Sequence, residues 1–216
     1  MKIDFYFSFR SPYSYLILPR IIDLKKDYEI EINFKLVYPL AIREPEFFKG
    51  KNIFTYFIAK TIDMRRVAKK HNMKFGSPKP DPIVQNLITG KISPEQPYIY
   101  ELCLMGQLMT NKGLGIEFAY NLSKQIFGGI KDWNSDENLA STFLQMGENI
   151  IEINKQIILD KDELINQIKE NQLDQANAGH HGVPLMVHKE SYYFGQDNFD
   201  RLLKDLKAAG LKLKQN

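Results

Sequence analysis

The amino-terminal stretch constrains the fold more than any other part of this chain. Ile3, Phe5, Phe7 and Phe9 alternate with Asp4, Tyr6, Ser8 and Arg10, the period-two pattern of a strand. Ser11 then occupies the position of a helix N-cap, with Pro12 at the first helical position. Leu16, Ile17, Arg20, Ile21 and Leu24 continue as a helical stripe. A second strand follows, with Ile30, Ile32, Phe34 and Leu36 alternating with Glu31, Asn33 and Lys35 until Pro39 ends it. Strand–helix–strand of this length predicts a parallel pair joined by a right-handed crossover.

From Leu40 to about Asp160 no comparable strand pattern appears. Helices are expected from Phe54 to His71, briefly from Ile83 to Thr89, from Pro97 to about Thr110 and from Gly115 to Phe127. Another, capped at Ser135 and acidic in its first turn, is expected to reach Met146. The prolines of Ser77–Pro82 make a stiff, extended loop. Asp160 to about Asn177 reads as an amphipathic helix with Leu164, Ile165, Ile168 and Leu173 as its apolar set. Strands return as a hairpin, Pro184–His188 and Ser191–Phe194, around Lys189-Glu190. A last helix is expected to bury Phe199, Leu202, Leu203 and Leu206. The order β-α-β, helical block, α-β-β-α predicts an α/β, thioredoxin-like fold with a large all-helical domain inserted in its middle. Residues 1–40 and 160–216 make the discontinuous thioredoxin-like domain, and 41–159 the insertion.

Composition narrows the function. The chain has 216 residues, 44% of them hydrophobic, enough for an ordinary core. A net charge of +3 with scattered lysines argues against nucleic acid. No run of about 18 apolar residues predicts a membrane span, and an alternating strand is no secretory leader. Cys103 is the only cysteine, so no intramolecular disulfide exists, and a cytoplasmic home is the default expectation.

Chemistry gathers at three places. A hydroxyl at Ser11, against the positive end of a helix, suits an anion such as a thiolate. Pro184 before a strand is expected to be cis, leaving the backbone of Val183 free to pair with an extended peptide. Asp197 at the start of the last helix suits an ammonium. Each has a plain structural reading as a cap or a loop proline; their convergence on one site would not. Ser11-Pro12-Tyr13-Ser14 holds the place where a thioredoxin-type centre needs a low-pKa cysteine, so disulfide exchange is not expected. Cys103, between Leu102 and Leu104, reads as inert core, and His180-His181 has no partner at metal-ligand spacing, so no metal is expected. Trp133 reads as a packing residue at the domain junction.

Taken in order, several segments resemble the 2-hydroxychromene-2-carboxylate isomerases and the kappa-class glutathione transferases over nearly the whole chain. They are Ser11–Leu16, Asp63–Ala68, Pro80–Ile83, Phe127–Gly129, Gly179–Pro184 and Phe194–Asp197. The resemblance implies glutathione as cofactor, with Ser11 stabilising its thiolate and Val183-Pro184 pairing with its cysteinyl part. Gln196 and Asp197 would hold the γ-glutamyl end, and Asn52 and Lys60 match an asparagine and a lysine near glutathione. Two departures stand out: the prolines usual after that asparagine are missing, and Asn198 replaces a common arginine. The implied activity is a glutathione-dependent isomerase of an unsaturated, aromatic-derived carboxylate, acting as a homodimer on a small electrophilic or unsaturated substrate. The alternatives are a kappa-like glutathione transferase or peroxidase, or a non-catalytic thioredoxin-fold peptide-binding module.

Overall fold

The computed structural model describes residues 1–48, 53–86 and 88–215. Strand β1 (Lys2–Phe7) runs into helix α1 (Pro12–Asp27) and returns as β2 (Glu31–Leu36). Helices α2 (Leu40–Arg43), α3 (Ile53–Lys70), α4 (Ile99–Asn111), α5 (Gly115–Phe127) and α6 (Asp136–Leu144) follow. Helix α7 (Ile150–Asn177) leads to β3 (Leu185–His188), β4 (Ser191–Phe194) and α8 (Phe199–Ala208). The sheet order is β2-β1-β3-β4. β1 and β2 are parallel, from Lys2 opposite Glu31 to Phe7 opposite Leu36, while β3 lies antiparallel to both β1 and β4. This is the expected topology. Its register puts the end of β1, the start of β3 and the end of β4 at one edge of the sheet.

One core runs through sheet and insertion. Phe7 meets Phe9 edge to face at 5.2 Å, Phe9 meets Phe118 of α5 at 5.9 Å, and Phe118 stacks on Phe143 of α6 at 5.0 Å. All four rings are buried. Helix α4 reaches this column through Gly106, where a Cβ would sit 2.7 Å from the Phe9 ring and 3.0 Å from Leu36. The approach therefore requires glycine. Trp133 is fully buried as a packing residue, but its partners lie inside the helical block: its Nε1 donates to the Pro80 carbonyl at 2.7 Å and its ring meets Tyr98 edge to face at 5.9 Å.

The structure departs from the sequence reading in four further places. Tyr6 and Ser8 are buried although they fall on the polar side of the β1 alternation. β1 is an inner strand, and a small second cluster of Tyr6, Val37 and Leu185 covers its other face. Among the described residues of 83–89 no helix forms. The Asn86 carboxamide accepts from the Ile88 and Thr89 amides, a local turn that competes with helix, and Gln85 bridges to Ile92. Helix α7 starts at Ile150, where Asn149 caps the Ile151 amide, so it spans position 160. Finally, Leu173 is exposed, and Gln175 is buried in its place because its Nε2 donates to the Gly182 carbonyl at 2.8 Å.

Candidate active site

Ser11 is the N-cap of α1. Its backbone is extended (φ −95°, ψ 106°), and its Oγ accepts from the Ser14 amide at 3.2 Å. The same Oγ donates to the Val183 carbonyl at 3.3 Å, joining residues 172 apart in sequence. The Val183–Pro184 peptide is cis. The first two sequence-predicted elements therefore meet.

The loop that carries Val183 is held from several sides. Gln175 of α7 fixes the Gly182 carbonyl from below. The Gly182 amide donates to Nδ1 of His180 at 2.9 Å, and the His180 ring stacks on Phe194 at 4.0 Å. Arg43 of α2 donates to the His181 carbonyl at 2.8 Å, and Nδ1 of His181 lies 2.5 Å from Glu44. A Cβ at Gly182 would fall 2.5 Å from the Phe194 ring and 2.8 Å from His180. A side chain there would displace the stack that shapes the site. Among the described residues no group of histidines, cysteines and carboxylates is placed to hold a metal.

These elements enclose a cleft of about 600 Å³, in the size range of small-molecule sites. Arg10, Ser11, Tyr13, Lys60, Glu44, His180 and His181 are among its polar lining; Leu40, Phe47, Met64 and Val183 are among the apolar walls. The Tyr13 hydroxyl donates to Asp63 of α3 at 2.5 Å, tying α1 to the opposite wall. That bond, with help from Arg66, holds the Asp63 carboxyl below its ordinary range. Lys60 stands 5.8 Å from the Tyr13 ring centre.

Gln196 and Asp197 follow Phe194 at the same sheet edge, in a short 3₁₀ turn ahead of α8. They differ in availability. Gln196 is buried, and Arg20 of α1 donates to its backbone carbonyl at 2.5 Å and to Oε1 at 2.8 Å. Asp197 is exposed and accepts from Nε2 of the Gln196 side chain; it is not the cap of α8, which begins after Asn198. Neither residue lines the cleft itself. Asn52 lies outside the described residues. Cys103 is fully buried, and burial pushes its thiol far above the ordinary range, as expected of inert core.

Sequence reasoning missed the residues that position the others. Arg20 sits on the apolar stripe of α1, and a lone cation there signals a buried acceptor; it links the helix that carries Ser11 to the turn that carries Asp197. Gln175 sends the same signal on α7.

Burial lowers the His180 pKa, and only a deprotonated Nδ1 can accept the Gly182 amide. The neutral ring therefore contributes stability that is present above the unfolded value, about 6.5, and is lost as pH falls below it. The urea midpoint should drop between pH 7 and pH 5.5, and His180→Gln should show a smaller drop over that window. An equal drop in both proteins would assign the titration elsewhere.

No protein-family model matches the sequence, and no curated protein does. Solved structures do. A 2-hydroxychromene-2-carboxylate isomerase superimposes with a TM-score of 0.74 at 16% identity, covering 97% of this chain and 96% of that one. A probable DsbA oxidoreductase of Streptomyces coelicolor gives 0.65 at 14% identity over 100% and 94%. The cytosolic disulfide reductase DsbM of Pseudomonas aeruginosa gives 0.60 at 10% identity over 97% and 100%, and has also been solved with GSH. This chain has the DsbA-like thioredoxin fold. In that fold, Ser11-Pro12-Tyr13-Ser14 opens α1 with hydroxyls and no sulfur. No helix among the described residues is long and apolar enough to cross a membrane.

Proposed function

We propose that this protein is a glutathione-dependent isomerase of an unsaturated, aromatic-derived carboxylate, of the 2-hydroxychromene-2-carboxylate isomerase type. One observation carries the reading: the Ser11 hydroxyl meets the carbonyl of a residue preceding a cis-proline, on the wall of a cleft large enough for a small molecule. A tripeptide laid along Val183 would bring its cysteinyl sulfur to that hydroxyl. At 3.3 Å the Ser11–Val183 bond is long for O–H···O, whose ordinary length is about 2.7–2.8 Å, so the proton is readily turned toward a thiolate. A free thiol with a pKa near 8.5 is mostly protonated at neutral pH; a hydroxyl donor and a helix N-terminus shift it toward the anion.

The chemistry then balances without consuming glutathione. The thiolate forms a sulfur–carbon bond at the alkene, and the alkene π pair moves into the conjugated carbonyl as an enolate. Rotation about the resulting single bond follows. The enolate pair then re-forms the alkene and expels the thiolate. A kappa-like transferase would share the first step and release the conjugate instead. Exchange of disulfides through the chain's own sulfur is disfavoured, since positions 11 and 14 are serines and Cys103 is buried.

The non-catalytic peptide-binding reading has less support. It would use the same Val183 backbone but gives the Ser11 hydroxyl beside it no chemical task; Arg201 and Asn198 donate to the Tyr192 and Phe194 carbonyls of β4. Asn198, a departure from the family pattern, thus has a structural task here. The reading carries with it a cytoplasmic setting, the default for a chain with one cysteine, and a homodimer, from the family resemblance.

Calorimetry with glutathione tests the proposal. Binding in the micromolar to millimolar range is expected, weakened at least tenfold by Asp197→Ala, which removes the carboxylate assigned to the γ-glutamyl ammonium. Absence of heat with the unaltered protein would overturn the reading.

A further inference from the structure

We infer that Arg10 selects for a carboxylate on the second substrate, an inference that rests on the glutathione reading above. The strand pattern reads Arg10 as a solvated position, but β1 stops at Phe7 and Arg10 lies in the turn that delivers Ser11. Its side chain is 11% exposed and lines the cleft beside Ser11. A guanidinium that close to the reacting position needs an account.

The group is held in place. Asp81 takes it as a fork, Nε to Oδ1 at 3.0 Å and Nη2 to Oδ2 at 3.2 Å. Asp81 is fixed in turn, because Oδ1 also accepts the Ile83 amide at 3.1 Å and the neighbouring Pro80 carbonyl accepts from buried Trp133. The Asp81 side chain is 40% exposed and is not part of the cleft lining. The insertion thus locks a planar cation in place before any ligand arrives, which lowers the cost of binding an anion there.

The rest of the described lining agrees. Among the described residues the other lysine or arginine on the cleft is Lys60, assigned above to glutathione, and the carboxylate, Glu44, faces His181. The apolar lining of the cleft includes Leu40, Phe47 and Met64. A flat apolar acid fits this pattern, with its body on that lining, its carboxylate toward Arg10 and its alkene beside Ser11. An arginine that merely braced the Pro80–Asp81 loop would not distinguish a charged acceptor from an uncharged one.

The test compares 3-benzoylacrylate with its methyl ester as acceptors of glutathione. In both, the thiolate forms a sulfur–carbon bond, the alkene π pair moves to the carbonyl as an enolate, and water protonates it. Calorimetry on the unaltered protein comes first: no glutathione heat removes the glutathione reading, whereas heat with an unchanged acceptor preference removes only the role of Arg10. In Arg10→Gln the acid-to-ester ratio of kcat/KM should fall at least tenfold, and Arg10→Lys should recover part of it. An equal loss on acid and ester would make Arg10 a brace and overturn the proposal. Should Arg10→Gln fail to fold, inhibition of the unaltered protein decides. Benzoate should compete with the acceptor, more weakly at high salt, and benzamide should not; equal inhibition by both, or benzoate competing with glutathione, would also overturn it.

Discussion

Ser11→Ala should lower glutathione-dependent turnover by about 100-fold, the usual cost of losing one donor to a developing anion. Glutathione affinity should change by less than about threefold, since most of the tripeptide's contacts lie elsewhere, along Val183 and at Asp197. Two effects must be separated, because Ser11 is also the N-cap of α1 and accepts from the Ser14 amide. Losing such a cap costs about 1 kcal/mol. In a chain of this size that lowers Tm by roughly 2–4 °C, which leaves the protein folded at assay temperature. Steady-state kinetics with calorimetry on the same variant makes the separation. Unchanged turnover, or turnover lost only in proportion to affinity, would remove the thiolate mechanism.

Phe9→Ala should destabilise the whole chain by about 3–5 kcal/mol, the range for truncating a buried aromatic ring. Phe9 is fully buried between Phe7 of the sheet and Phe118 of the insertion, and Gly106 brings α4 against the same ring. The helical insertion is therefore packed on the sheet through this ring. The expected result in urea is a single transition moved to a lower midpoint, seen alike by far-ultraviolet circular dichroism and Trp133 fluorescence. Two separated transitions, with only one of them moved, would show that sheet and insertion fold independently.

How much of this was legible in the sequence depended on whether a residue's partner lay nearby. The β1–α1 junction was readable because strand period, cap and proline are all local signals. The β3–β4 hairpin was readable because its turn is short. Val183-Pro184 could be placed beside Ser11 only through topology, and the structure puts the two in contact. The misreadings share a cause. Period alone puts Tyr6 on the polar face and Leu173 on the apolar one, whereas a second small core covers Tyr6 and the Gly182 carbonyl draws Gln175 inward in place of Leu173. The short helix expected at 83–89 gave way to the Asn86 side chain, which captures two amides that a helix would need. Arg10–Asp81 and Arg20–Gln196 are 71 and 176 residues apart, pairings that no local pattern encodes. The chemistry of the site was thus visible as motifs, while the groups that hold the motifs in place became visible only with the fold.

The most direct measurement is the thiolate absorbance near 240 nm of glutathione bound to the protein, followed against pH with and without Ser11→Ala. The account predicts a thiolate that appears well below the free-thiol pKa of about 8.5 in the unaltered protein and returns toward that value when the hydroxyl is removed. Bound glutathione that titrates like the free thiol, or titrates identically in the two proteins, would contradict it.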